Sequence, residues 1–298
     1  MSKKIVTLLL AALLALALTP MLAQDTAVTV TDMYGREITL AQPATRIVAL
    51  TPSDCEILCA IGCEEALVGR GAYCDYPESI LALPEVASGA ETNVEQIIAL
   101  NPQVVLMSDM AQTPEQVEAL ENAGIAVVVS DANDIEGTYT AIRMIGQLMG
   151  RDEQAEALIS DMQTTFADIA AKCEDSGKTV YFEVSPLEWG LWTAGTNTFM
   201  DELAAICGLT NAFADVEGWA GISEEQVLER DPDYIVTITM YYGEGPTPVE
   251  EIMGRAGWEG LKAVQNGSVY NADSNAVSRP GPRLKDAAVE LYNFVYGE

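Results

Sequence analysis

The sequence predicts an α/β protein of two lobes, each built on a central parallel sheet, with an N-terminal β-hairpin and one long α-helix between the lobes. Short β-branched strands alternate with helices in the first half, and the same alternation restarts at residue 178. A helical stretch without Gly or Pro separates the two series. With 298 residues, the chain is long enough for about two domains. We therefore expect an N-terminal lobe over 24–150, a connecting helix over 151–177 and a C-terminal lobe over 178–298.

Alternating apolar and polar side chains over 28–31 and 36–40, with Gly35 in the turn between them, predict an antiparallel β-hairpin. Short runs rich in β-branched residues and bounded by turn residues then predict the strands of two parallel sheets. These runs lie at 46–50, 104–107 and 126–129 in the first lobe and at 179–184, 234–238 and 268–270 in the second. Helices of the second lobe are predicted at about 198–207 and 223–229.

The segment 151–172 between the two predicted sheets reads as a single amphipathic helix, because its apolar residues recur at helical spacing on one face. These residues are Ala155, Leu158, Ile159, Met162, Phe166, Ile169 and Cys173. At about 1.5 Å per residue, such a helix spans roughly 30 Å. We therefore predict a stiff helix that lies along both lobes and joins them.

The charge balance is strongly acidic: 45 acidic and 15 basic residues give a formal charge of −30, although 49% of the residues are hydrophobic. This balance indicates a globular protein whose surface repels nucleic-acid phosphates and anionic lipid headgroups. The chain has no histidine. That absence excludes Ser-His-Asp hydrolases, Cys-His proteases and His-ligated zinc centres, and we predict no resident cofactor or metal.

The N-terminus has the pattern of an export signal. Lys3 and Lys4 precede an apolar run over 5–18 that is too short to span a bilayer, and the small residue Ala23 precedes an acidic stretch. We predict a signal peptide over 1–23; the alternative is an uncleaved membrane anchor. Cleavage removes two lysines and no acid, so the formal charge of −30 becomes −32. No cysteine lies near the predicted cleavage site, which argues against lipid modification there.

The chain has six cysteines, at positions 55, 59, 63, 74, 173 and 207. The first three are spaced by four residues, which predicts one stripe along a helix. Buried free thiols are one interpretation of this stripe, and a thiolate metal site is the other. Disulfide bonds from Cys63 to Cys74 and from Cys173 to Cys207 also remain open.

Two segments, 93–106 and 223–236, align without gaps. Each begins with an N-cap residue, Asn93 or Ser223, followed three positions later by glutamine, so we predict a capping box at the start of two equivalent helices. Each helix then ends before a proline that leads into a strand.

Most candidate ligand contacts lie in loops that follow predicted strands, where ligands of open α/β sheets bind, and Trp219 lies directly before a predicted helix of the second lobe. Any single tryptophan among them could pack beneath its own loop, but the whole set favours a shared aromatic-lined cleft. The candidates are Tyr73, Asp75, Tyr76, Trp189, Trp192, Trp219, Tyr241, Tyr242 and Arg279.

Several motifs occur in an order that extends over nearly the whole mature chain. They include Asp-Met-Tyr-Gly-Arg-Glu-Ile at 32–38, Arg-Ile-Val-Ala-Leu-Thr-Pro-Ser at 46–53, Asn-Val-Glu-Gln-Ile at 93–97, Ser-Glu-Glu-Gln-Val at 223–227 and Arg-Pro-Gly-Pro-Arg at 279–283. No single motif is diagnostic. Their order and spacing resemble the helical-backbone class of ABC-transporter substrate-binding proteins, which carries vitamin B12, ferric siderophores and haem.

The resemblance implies two Rossmann-like lobes, a rigid connecting helix and one ligand in the inter-lobe cleft. It also implies a monomer, not an enzyme, that is exported to the periplasm or the outer face of the membrane and delivers its ligand to a permease dimer with ATPase subunits. Glu95 and Glu225, with Glu224 as an alternative, then pair with arginines of the permease. First-turn acids are also favoured by the helix dipole alone. The chain departs from lipoprotein members in lacking a cysteine after the signal, and lacking histidine it does not fit the manganese and zinc receptors.

The few basic residues near the predicted cleft favour a nearly neutral cobalamin-type corrinoid as the ligand over an anionic ferric siderophore. These residues are Arg279, Arg283, Arg70 and Arg143. Ferric siderophore or haem is the second expectation, with Tyr73 as a candidate ligand of haem iron.

Two other classes of function remain open from the residues alone. One is an exported enzyme in which Asp75 and Glu188 perform acid–base chemistry across the cleft. The other is a sensor or surface carrier that never docks on a permease.

Overall fold

The computed structural model describes residues 27–108, 113–173 and 176–297, so the predicted signal peptide lies outside the described residues. The chain enters through the predicted antiparallel hairpin, β1 (Val28–Thr31) and β2 (Glu37–Leu40). The buried Asp32 carboxylate accepts hydrogen bonds from the backbone N–H groups of Arg36 at 2.8 Å and Val129 at 3.2 Å. The turn is thereby closed and attached to the first lobe.

The N-terminal lobe contains a five-stranded parallel sheet in the order β5-β4-β3-β6-β7. Its strands are β3 (Ile47–Ala49), β4 (Leu67–Gly71), β5 (Glu85–Val86), β6 (Val104–Met107) and β7 (Ala126–Val129). Its helices are α1 (Pro52–Ala60), α2 (Val94–Ala99), α3 (Pro114–Asn122) and α4 (Ile135–Met149), with short 3₁₀ turns at Glu64–Ala66, Glu78–Ala82 and Gly89–Glu91. The central strands are buried on both faces, as their β-branched sequences predict.

The segment between the lobes forms the predicted helix, α5 (Asp152–Ala170). Five of the seven apolar side chains predicted on its inner face are buried: Ala155, Ile159, Met162, Phe166 and Ile169. Within the described residues, this face packs against α4 and belongs to a hydrophobic core that also contains residues of the C-terminal lobe, including Phe182 and Leu203.

The C-terminal lobe contains a four-stranded parallel sheet in the order β10-β8-β12-β13 and a separate antiparallel ribbon of β9 and β11. The strands are β8 (Thr179–Glu183), β9 (Trp192–Ala194), β10 (Thr210–Asn211), β11 (Trp219–Gly221), β12 (Tyr234–Thr237) and β13 (Val269–Asn271). The helices are α6 (Phe199–Ile206), α7 (Glu224–Arg230), α8 (Pro248–Met253), α9 (Lys262–Gln265), α10 (Ser274–Val277) and α11 (Leu284–Tyr296), with a 3₁₀ turn at Leu187–Trp189. Helices α6 and α11 both contact α5.

The fold prediction is confirmed for two parallel sheets and the antiparallel hairpin. Strands β1, β6 and β7 match their predicted ranges residue for residue. Strands β2, β8 and β12 differ by one residue at one end, and β3 and β13 differ by one residue at each end. The domain boundaries stay predictions. No helix in the described parts of the chain is long and apolar enough to cross a membrane.

The predicted cysteine stripe is wrong in one member. Helix α1 ends at Ala60, because Gly62 adopts a φ of 76° and the backbone N–H of Cys63 turns back to the carbonyl of Leu58 at 2.8 Å. Cys63 therefore lies beyond the helix that carries Cys55 and Cys59. All six cysteines are free, and the described residues contain no cluster of Cys, Asp or Glu suited to a metal ion.

Candidate functional site

The carboxyl ends of the two sheets meet where the loop after β4 contacts the segment after β13. The Asp75 carboxylate accepts hydrogen bonds from Arg279 Nη1 at 2.6 Å and from Asn275 Nδ2 at 3.2 Å. These contacts join residues 200 or more positions apart in the sequence, one from each lobe. One predicted ligand loop of the N-terminal lobe is therefore adjacent to the predicted Arg279 segment of the C-terminal lobe.

We call Glu56, Asp75, Arg279 and Arg283 the inter-lobe charge cluster. Glu56, on α1, accepts hydrogen bonds from Arg279 Nη1 at 3.1 Å, from Arg283 Nε at 2.9 Å and from Arg283 Nη2 at 2.6 Å. Arg279 Nη2 also donates to the carbonyl of Tyr73 at 3.1 Å. One buried carboxylate of the N-terminal lobe thus holds two guanidinium groups of the C-terminal lobe.

The cluster is largely withdrawn from water. The side chains of Glu56, Arg279 and Arg283 are 2%, 10% and 13% exposed, whereas Asp75 is 45% exposed. Burial alone would raise the pKa of Asp75, but the hydrogen bond and charge of Arg279 outweigh it and lower that pKa. Burial likewise opposes the charge on Arg283, yet its contacts with Glu56 dominate and raise its pKa. These contacts therefore stabilise the charged forms of Asp75 and Arg283.

This arrangement changes what was predicted for two candidate residues. The sequence predicts Asp75 and Arg279 as ligand contacts, and in the structure they bind each other at the cleft edge. Both terminal nitrogens of Arg279 donate hydrogen bonds within the protein, Nη1 to Glu56 and Nη2 to Asn275. Sequence reasoning missed Glu56; the one available signal was an acid next to the apolar run Ile57-Leu58-Cys59 on a helix that follows a buried strand.

The predicted cleft aromatics are exposed, although large aromatic side chains are usually mostly buried. Tyr73, Trp189 and Tyr242 are 75%, 77% and 84% exposed. Tyr76, Trp192, Trp219 and Tyr241 are also among the exposed large side chains. Tyr76 packs its ring against Arg283, whose guanidinium carbon lies 4.3 Å from the ring centre. The fourth tryptophan, Trp258, is fully buried.

Two of the tryptophans predicted to lie in loops are instead on the ribbon of β9 and β11. Trp192 pairs with Gly221 in register, and its indole lies 3.7 Å from the position a Cβ of residue 221 would occupy, an ordinary van der Waals distance. Trp219 packs against Phe199 with ring centres 5.3 Å apart. The ribbon therefore presents both indoles from a fixed backbone.

A buried acid, Asp54, lies near the same edge of the N-terminal sheet, in the first turn of α1. Burial raises its pKa to about 6, although hydrogen bonds from Thr51 and Ser130 act in the opposite direction. Its Oδ2 accepts the hydroxyl hydrogen bond of Thr51. Sequence reasoning did not single it out, since acids in first turns are common as dipole partners.

The guanidinium groups considered for the cleft are all paired. Arg70 donates to Glu85 at 3.2 Å and to two backbone carbonyls, and Arg143 contacts Glu136 and Glu156 on α4 and α5. Arg279 and Arg283 belong to the inter-lobe charge cluster. None of these four cations is left without a carboxylate partner.

Helices α2 and α7 present equivalent surfaces. Glu95 and Glu225 are both exposed in the first turn, and Ile97 and Val227 are both buried two positions later. Glu224, the alternative to Glu225, is half-buried because its Oε2 accepts a hydrogen bond from Trp258 Nε1 at 2.9 Å. Glu225 is therefore the more exposed acid of this pair.

The predicted capping boxes are half right. Ser223 and Gln226 form both reciprocal hydrogen bonds at the start of α7. At the start of α2, Asn93 accepts from the Gln96 backbone, but the Gln96 side chain donates to the carbonyl of Glu85 at 2.6 Å. That hydrogen bond links α2 to β5 instead of completing the capping box.

A profile of the periplasmic binding protein family matches residues 47–276. The chain belongs to this family. It is a substrate-binding component of an ABC importer, of the class that carries vitamin B12, haem or siderophores, and it is not an enzyme. Acid–base catalysis by Asp75 and Glu188 is thereby set aside, and Asp75 is in any case bound to Arg279.

Three relatives illustrate the family. The uncharacterized ABC transporter substrate-binding lipoprotein YvrC of Bacillus subtilis (strain 168) is 34% identical over 276 residues, covering 90% of this chain and 85% of the relative. A vitamin B12-binding protein of Pectobacterium carotovorum subsp. carotovorum (strain PC1) is 28% identical over 252 residues, covering 83% and 86%. The crystal structure of a possible iron-binding (periplasmic solute-binding) protein from Staphylococcus epidermidis ATCC 12228 has a TM-score of 0.74 at 29% identity, covering 86% of this chain and 100% of that one.

Proposed function

We propose that this binding protein holds a cobalamin-type corrinoid in the cleft between its lobes and delivers it to a permease dimer. The observation that carries the ligand assignment is the combination of seven exposed aromatic side chains with cleft guanidinium groups that are all neutralised. A corrinoid is a large, nearly neutral ring system with an apolar face and a rim of amides. It needs flat apolar contacts and few charges.

The aromatic set supplies such contacts. Exposed Trp and Tyr rings each remove about 150–250 Å² of surface from water when fully covered, which makes them the main energetic contributors to a site of this kind. Tyr73 and Tyr76 belong to the N-terminal lobe, and Trp189, Trp192 and Tyr242 belong to the C-terminal lobe. A planar guest between the lobes can therefore contact rings on both of its faces.

An anionic ferric siderophore fits this site less well. Binding it would require the guanidinium groups of Arg279 and Arg283 to leave buried carboxylates, and breaking such a pair costs about 3–5 kcal/mol. The formal charge of −30 also disfavours the approach of an anion. Haem carries propionates that meet the same obstacle, although the exposed Tyr73 could supply a phenolate ligand to its iron.

Docking on the permease is assigned to Glu95 and Glu225, exposed at equivalent positions of α2 and α7, one in each lobe. One acid per lobe suits a two-fold partner that offers one arginine from each half, and such charges mainly set orientation and the association rate. Helix α5, which packs against both lobes, would hold the two acids at a fixed separation as a rigid connector.

A thermal-shift screen of the purified protein tests the ligand class. The panel contains cyanocobalamin, cobinamide, haem, a trianionic ferric catecholate and a neutral ferric hydroxamate. We expect the corrinoids to raise Tm with a concentration dependence that follows RT ln(1 + [L]/Kd). A shift with the trianionic siderophore and none with either corrinoid contradicts the proposal, and a shift with haem alone assigns the site to haem.

A further inference from the structure

Two buried cysteines from different elements lie beside the inter-lobe charge cluster. Cys55 is on α1 and Cys74 is in the loop after β4, and both are fully buried. The Sγ atom of each lies 3.8 Å from the same backbone oxygen, that of Ala49. The two thiols are close enough that Cys74 raises the pKa of Cys55. The two thiols therefore lie on the same backbone oxygen in the buried core, each one van der Waals contact away from it.

The neighbours of these cysteines connect them to the site. Cys55 directly precedes Glu56, and Cys74 directly precedes Asp75. Glu56 and Asp75 are the two carboxylates that hold Arg279 across the lobes. In the loop, Tyr73 and Asp75 face outward while Cys74 is buried between them. A covalent bond between the two sulfurs would therefore hold the backbone segments that carry Glu56 and Asp75 next to each other.

We propose that Cys55 and Cys74 form a disulfide bond when the chain folds in an oxidising compartment, and that this bond fixes the cleft loop 73–77 to α1. Two S–H bonds are lost and one S–S bond forms, by exchange with a small-molecule disulfide oxidant. The oxidant is reduced to two thiols, which take up the two hydrogens. The free dithiol described above is then the reduced form of the pair.

The low reactivity of the buried Cys55 thiol indicates that the disulfide bond forms during folding. The neighbouring Cys74 thiol and burial raise the pKa of the Cys55 thiol well above its usual range. Since the thiolate is the attacking species, exchange at this site is slow once the core has closed. A bond made before closure is retained for the same reason.

The other four cysteines do not occupy this pocket. Cys63 lies beyond the end of α1, and its thiol pKa is raised by burial but lowered by a hydrogen bond with Arg151. Cys207 is buried against the carbonyl of Ala288, with Sγ 3.6 Å away, and its neighbour is Cys173. The pairing of Cys63 with Cys74 that the sequence left open is therefore disfavoured by the position of Cys55.

The test is a disulfide map of the full exported chain, unfolded in urea with reductant and then refolded in oxidised and reduced glutathione. After alkylation of free thiols, cleavage at glutamate separates Cys55 (peptide 38–56) from Cys59 and Cys63 (peptide 57–64) and from Cys74 (peptide 66–78). We expect the peptides 38–56 and 66–78 to be joined and to separate on reduction. We also expect a higher Tm for the oxidised protein than for the reduced one.

Cys55→Ala and Cys74→Ala should each abolish the joined peptide and the difference in Tm between oxidised and reduced protein. Cys207→Ala, at an equally buried cysteine, is the matched control and should retain both. Full alkylation of Cys55 and Cys74 after refolding overturns the proposal, as does a link from either to another cysteine. The disulfide map uses the unsubstituted protein without any ligand. Its result therefore tests the proposal even if a variant fails to fold or if the protein does not bind a corrinoid.

Discussion

Glu56→Gln should lower the free energy of unfolding by about 3 kcal/mol, the lower end of the range for removing one partner of a buried ion pair. Glu56 accepts hydrogen bonds from two guanidinium groups whose side chains are 10% and 13% exposed. Glutamine keeps one acceptor oxygen but cannot balance two positive charges. Asp75 remains beside Arg279, which keeps the loss from being larger. Urea unfolding at neutral pH measures the effect without adding salt.

The matched control for this substitution is Glu85→Gln. Glu85 also pairs with an arginine, Arg70 at 3.2 Å, but its side chain is 56% exposed. We expect a loss below about 1 kcal/mol there, because solvent screens an exposed pair. Equal losses of stability for the two variants would show that the buried ion pairs of the inter-lobe charge cluster stabilise the fold no more than an exposed pair does.

The second large effect concerns transport. The double variant Glu95→Lys with Glu225→Lys should lose uptake of the ligand in cells that carry the cognate permease, while the purified variant binds the ligand as tightly as the unsubstituted protein. Both side chains are exposed and lie on the outer turns of α2 and α7, so their reversal leaves the core unchanged. Reversal turns two attractive contacts with permease arginines into repulsive ones.

A control for net charge is the double variant Glu37→Lys with Glu153→Lys. These acids are also exposed, but they lie on the β-hairpin and in the first turn of α5. Uptake should persist in this variant, since it changes the total charge equally and touches neither α2 nor α7. Normal uptake by the Glu95 and Glu225 variant would contradict the docking assignment.

Local rules were enough to predict the hairpin, the central strands of both sheets and the helix between the lobes. Strands β6 and β7 are short runs of buried β-branched and apolar residues with turn residues on both sides, and the helix α5 is specified by its spacing of apolar residues. The end of α1 was missed because the helix stops at Ala60, where the positive φ of Gly62 turns the chain away, and a spacing rule for cysteines ignores that stop. Trp192 and Trp219 were placed in loops because a three-residue ribbon gives too short a pattern to recognise.

The exposure of the candidate aromatic residues could be predicted from the sequence, but the pairing of the charged residues could not. Tyr73, Trp189 and Tyr242 lie in segments that follow parallel strands, which a strand-by-strand reading locates. Trp192 and Trp219 instead lie on the antiparallel ribbon.

The contact of Arg279 with Glu56 joins residues 223 positions apart, and nothing local to either residue specifies it. Likewise, the preference for Glu225 over Glu224 as the proposed docking residue depends on Trp258, which is distant in sequence and whose indole N–H donates a hydrogen bond to the Glu224 carboxylate.

The most direct measurement of the central claim is a calorimetric titration of the protein with cyanocobalamin at low and at high salt. We expect one-to-one binding with a Kd that is nearly independent of salt, because a neutral guest held by aromatic rings involves no unscreened ion pairs. Trp189→Ala should weaken binding by at least about tenfold, or 1.4 kcal/mol, while Tyr34→Ala, an exposed aromatic on the hairpin turn, should leave it unchanged. Absence of corrinoid binding, together with salt-sensitive binding of an anionic iron complex, would contradict the account.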